Sequence, residues 1–70
     1  MKDVKMESRK RIGERLREER EAQGWTVEQA ATMADVKPHT IEKIEMGVFN
    51  IPLDVLAKVA DVYGCKIEII

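Results

Sequence analysis

Apolar residues recur every three or four positions along most of this chain and every second position at its end. The first spacing predicts helices that each bury one stripe, and the second predicts a strand. In residues 8–23, SRKRIGERLREEREAQ, Ile12, Leu16 and the aliphatic stem of Arg20 stand four apart among strong helix formers. Ser8 is suited to cap the start of this helix and Gly24 to end it. Thr26, with Gln29 three residues on, forms a capping box for a second helix, and Trp25 stands at the hydrophobic-staple position before it. That helix, VEQAATMA over 27–34, turns Val27, Ala30, Ala31 and Ala34 inward. The stretch DVK breaks the period. Pro38 then opens a third helix in the one turn that tolerates proline, with Ile41 and Ile44 inward and Gly47 at its end. VFNIP reads as a loop. Residues 53–63, LDVLAKVADVY, predict a fourth helix with Leu53, Leu56, Ala57, Ala60 and Tyr63 on one face, Val59 widening it and Gly64 as its stop. In the tail CKIEII, Cys65, Ile67 and Ile69 alternate with Lys66 and Glu68 as in a strand.

Seventy residues make one domain, and a chain this short buries only about 60% of its unfolded surface. One cysteine excludes an internal disulfide, and one cysteine with one histidine excludes a closed four-ligand zinc site of the Cys/His type. No apolar run is long enough for a membrane span or a secretory leader, so the expectation is a cytoplasmic protein that does not engage membrane. No nucleophile–base pair, glycine-rich phosphate loop or carboxylate cluster is present, so no enzyme, cofactor or metal is expected. The net charge is −1, unevenly spread. Residues 1–20 hold eight Lys and Arg against five Asp and Glu, and residues 21–70 hold four against eight. The N-terminal excess is either a face for a polyanion or a set of charges that solvates a helix, Glu14, Glu18, Glu19 and Glu21 lying among its arginines.

Residues 26–47 form a helix, a tight turn and a second helix. Two helices that cross steeply need small residues at the contact, and Ala30 and Ala31 supply them. Ile41 and Ile44 then hold the second helix by its inner side, and its first residues can enter a major groove about 12 Å wide.

Around this motif the chain resembles the phage repressor and Cro-type helix-turn-helix proteins, the Xre family. The matching stretches are IGERLREEREAQGWT, EQAATMADV, TIEKIEMG and LDVLAKVADVYG, in that order, within residues 12–64. The resemblance implies an all-α, lambda-repressor-like four-helix DNA-binding domain and a sequence-specific transcriptional regulator of double-stranded DNA. It implies that Lys37, His39, Thr40 and Lys43 face base edges and that Thr26, Gln29 and Asn50 meet phosphates. It implies that Arg20 and Glu45 form a buried ion pair between the first and third helices, which orients helices more than it stabilises them. The chain departs from the family's usual pattern at Val27 in place of glutamine, at Asp35 in place of the turn glycine, and in a weakly basic loop, Val48-Phe49-Asn50. Glu42 projects toward DNA, where it must accept from cytosine or be repelled by phosphate. Asp35 suits the turn because aspartate tolerates the left-handed conformation better than most residues.

The expected organisation is a flexible flank over 1–7, the DNA-binding domain over 8–64 and a C-terminal strand over 65–70. No other segment has a strand signature, so the expected partner of the tail is a second copy. Antiparallel pairing about Ile67 sets Lys66 opposite Glu68 and Cys65 opposite Ile69, each twice, as in a two-fold homodimer. Two copies would read a pseudo-palindromic operator, most simply as a repressor. A second reading is an antitoxin-like module that binds a toxin or other protein and autoregulates its operon, with Val48, Phe49 and Ile51 as the docking surface.

Overall fold

The computed structural model describes residues 2–5, 9–48 and 51–68. In chain order they form β1 (Lys2–Lys5), α1 (Arg9–Ala22), α2 (Val27–Ala34), α3 (Pro38–Met46), α4 (Leu53–Val62) and β2 (Cys65–Glu68). The body is the four-helix arrangement, and the two short strands join its ends.

Each helix boundary has a local cause. The Thr26 hydroxyl accepts from the Gln29 amide at 3.1 Å while Gln29 Oε1 accepts from the Thr26 amide at 2.8 Å, which closes the capping box of α2. Asp35 ends α2 in the left-handed region at φ 55°, ψ 48°. The amides of Asp35 and Val36 donate back to Thr32 and Ala31, which satisfies two of the last four carbonyls of the helix. Gly47 ends α3 in the same way, with its own amide donating to Ile44 and that of Val48 to Lys43. Lys37 caps α3 without a side-chain bond, and Pro38 follows, where no amide donor is needed.

The core gathers Ile12 and Leu16 of α1, the three alanines of α2, Ile41 and Ile44 of α3, and Leu56, Val59 and Ala60 of α4, with Ile51, Tyr63 and Cys65 completing it. Each fully buried Ile or Leu contributes roughly 1.5–3 kcal/mol. The closest approach is between α1 and α3. A Cβ added at Gly13 would lie 2.2 Å from the Ile44 carbonyl oxygen and 2.8 Å from that of Glu45, so only glycine lets these backbones meet. One turn earlier, the Cα of Lys10 lies against Gly47. Arg9 donates to the Ile51 carbonyl at 3.1 Å and ties the same end of α1 to the segment before α4.

Several expectations need correction. The flank over 1–7 is not loose throughout: Lys2–Lys5 is a strand, whose short, charged sequence carries no alternating signature. The tail also has a strand partner within its own chain, which the sequence did not suggest. β2 runs parallel to β1 of the same chain, Lys2 against Cys65, Asp3 against Lys66, Val4 against Ile67 and Lys5 against Glu68. The pairing is invisible to local pattern because its partners stand at opposite ends of the sequence. Of the face expected for α4, Leu53 and Ala57 are exposed, while Leu56, Val59, Ala60 and Tyr63 are buried. Ile51 is buried in the core, so it cannot serve as a docking residue. Ser8, Phe49, Asn50 and Ile69, to which capping, docking, phosphate and pairing roles were assigned, lie outside the described residues.

Candidate nucleic-acid interface

The inner side of α3 is held in three ways. Ile41 and Ile44 are buried. The last turn rests on Gly13. Arg20 clamps Glu45 with two parallel bonds, Nε to Oε2 at 2.6 Å and Nη2 to Oε1 at 3.0 Å. This is the fork geometry in which guanidinium and carboxylate pair most strongly. The side chains are only 11% and 9% exposed. The third nitrogen of Arg20 donates to the Trp25 carbonyl at 2.8 Å, so one guanidinium joins α1, the entry to α2 and α3. The bond to Glu45 raises the pKa of Arg20, more than burial lowers it.

Behind this pair lies Tyr63. Its ring is 5.7 Å from that of Trp25, tilted by 52°, and its buried hydroxyl makes no hydrogen bond among the described residues. Burial, helped by the Glu45 carboxylate, pushes its pKa from 10.0 up to about 12.

With its inner side fixed, α3 presents Lys37, Pro38, His39, Glu42 and Met46 outward as exposed residues, with Thr40 and Lys43 half-buried at the margins. His39 Nδ1 stands 3.8 Å from Glu42 Oε1, one turn apart on the surface. Thr26 and Gln29 sit at the exposed start of α2. Both use oxygens as acceptors in the capping box, which leaves the Thr26 hydroxyl proton and the Gln29 amide NH2 as donors. Cys65 is buried at the start of β2.

The cation-rich first helix is largely committed within the molecule. Arg15 pairs with Glu19 at 3.6 Å and Arg17 with Glu21 at 3.4 Å, each one turn on, while Arg9 and Arg20 are used as described. These pairs favour the solvating reading of that charge excess. The outward positive charge of the motif therefore comes from Lys37, Lys43 and, when protonated, His39. Two features were missed in the sequence, the contact at Gly13 and the burial of Glu19. A glycine inside an otherwise strong helix was the available sign of the first.

A second feature lies on the outer side of α2. Trp25, Glu28, Gln29, Thr32 and Met33 line an open groove of about 410 Å³. None of the described helices is long and apolar enough to cross a membrane.

Two helices joined by a three-residue turn, the second fixed by its inner side and polar on its outer side, define a helix-turn-helix DNA-binding domain. The helix-turn-helix family HTH_3 matches residues 16–70, and the chain belongs to this family of Cro/Xre-type DNA-binding transcriptional regulators. The match covers α2, α3, α4 and β2 and leaves β1 outside. No curated protein matches the chain.

Proposed function

We propose that the protein is a small dimeric repressor that reads a pseudo-palindromic operator with α3 in the major groove. The observation that carries this reading is the two-sided construction of α3. Buried isoleucines and the Arg20–Glu45 clamp fix its rotation, and Lys37, His39, Thr40 and Lys43 are left to meet base edges. Thr26 and Gln29 offer their donors to phosphate from α2, and Asn50 does so from the following loop. The outer side of α3 carries few cations, so one copy binds weakly, and two copies on one duplex multiply the contacts. The molecule measures 30 × 25 × 17 Å, a size at which two neighbours can meet half-sites spaced about 34–36 Å apart.

The sheet supports the dimer. Two short parallel strands are marginal alone, and among the described residues β2 is paired on one side only. Antiparallel addition of a second β2 about Ile67 yields four strands in the order β1–β2–β2–β1. It sets Lys66 opposite the partner's Glu68 and Cys65 opposite the partner's Ile69, each twice by symmetry.

The test is a salt titration on duplexes selected from a random pool. With about four phosphate contacts, affinity falls roughly 100-fold between 50 and 200 mM salt. Sedimentation of the protein alone should give a dimer. Failure to enrich any duplex, or an affinity indifferent to salt, sinks the reading. The groove over α2, with its exposed Met33, then favours the second reading, an antitoxin-like module that docks a partner protein there.

A further inference from the structure

We infer that Glu42 discriminates one base pair of the operator by accepting a hydrogen bond from the exocyclic amine of cytosine. The inference rests on the DNA-reading role proposed above and adds the base. Burial of Ile41 and Ile44 and the pairing of Glu45 with Arg20 set the rotation of α3. Glu42 then projects from its second turn with 58% of the side chain exposed. Pro38 stands one turn before it toward the helix start. It is short, apolar and without a donor, so no longer polar side chain at that position precedes Glu42 on its way to the groove.

A carboxylate only accepts. In the major groove guanine offers two acceptors, and thymine an acceptor and a methyl group. Adenine sets its amine beside the N7 acceptor, which would face the second carboxylate oxygen. Cytosine alone presents a donor with no acceptor on the same base. The cost is the approach of a negative group to phosphates. Lys43, a cation at the next position of the helix, offsets it, and the His39 ring stands one turn away with Nδ1 3.8 Å from Oε1.

The experiment is selection from a random duplex pool with the wild type, Glu42→Gln and Glu42→Ala, at one salt concentration. Glu42 is exposed, and circular dichroism checks that each variant keeps its helices. The wild type should require cytosine at one position of each half-site, by about 5- to 150-fold over other bases. Glu42→Gln should move that preference to adenine, since an amide both donates to N7 and accepts from N6. Glu42→Ala should lose the preference there and leave the remaining positions unchanged. If all three select the same base at every position, Glu42 is only a repulsive group and the inference is overturned, whatever the gain in affinity. If the wild type enriches no duplex, the inference and the DNA reading fall together.

Discussion

The two sides of α3 contrast at every level. On the inner side, two isoleucines are buried, a backbone contact at Gly13 excludes even a methyl group, and Glu45 is gripped by both arms of a fork. On the outer side the side chains are mostly polar, Pro38 and Met46 excepted, and largely in water, and His39 Nδ1 stands 3.8 Å from Glu42 Oε1. The contrast teaches that orientation and reading are separate tasks within nine residues. Stability resides on one side, and choice of partner is left to the other.

Three changes break or sharpen that contrast, beginning with the largest. Glu45→Ala leaves the Arg20 guanidinium buried without its counter-charge. It should cost about 3–5 kcal/mol in chemical denaturation. A loss below roughly half a kcal/mol would show that the clamp does not hold α3.

The next acts on the same buried region through pH. The raised Tyr63 pKa means that its neutral form is favoured in the folded state. Below pH 10.0 both folded and unfolded chains hold this proton, and the contribution is fully present. Between 10.0 and about 12 the unfolded chain has lost the proton while the folded one keeps it, so stability falls as pH rises. The loss amounts to roughly 2–3 kcal/mol. Tyr63→Phe should remove this component, read as the difference between the two alkaline denaturation curves. Parallel curves from pH 9 to pH 12 would count against burial of the hydroxyl.

The smallest effect on stability is expected outside. Lys43→Ala should change unfolding free energy by less than about half a kcal/mol. It should nevertheless weaken binding to the selected duplex. If Lys43 meets a base edge, the loss is concentrated on one base pair. If it meets phosphate, the loss is uniform across sequences and the salt slope drops by about one. A large loss of stability would erase the distinction between the two sides.

Much of this architecture was legible in residues alone, for identifiable reasons. Thr26 with Gln29, Asp35, Pro38 and Gly47 act on their immediate neighbours, so the boundaries of α2 and α3 follow from local chemistry. Ile41 and Ile44 fix which side of α3 faces water through the helical period. The contact at Gly13 depends on how two helices meet, and only the presence of an unneeded glycine hinted at it. The period places Leu56, Ala60 and Tyr63 on the core face of α4, with Val59 beside them, but also Leu53 and Ala57, which are exposed. LDVLAKVADVY is apolar around most of its circumference, and the period alone does not set which flank of the stripe is covered. The role of Lys2–Lys5 was not legible, since three of its four residues are charged and its partner begins at Cys65. As for the candidate site, the outward residues follow from the period, but the nearness of His39 to Glu42 and the internal commitment of Arg15 and Arg17 depend on side-chain conformation.

The parallel register of Lys2 with Cys65 also has a consequence for biosynthesis. A strand made before the helices must wait for a partner made after them, while the helices between can already assemble. During that wait its unpaired edge is open to any neighbouring nascent chain. Lys2, Asp3 and Lys5 make KDVK a poor template for such encounters, since charges on an edge discourage foreign strands. The charges that hid this strand from pattern reading therefore protect the newborn chain.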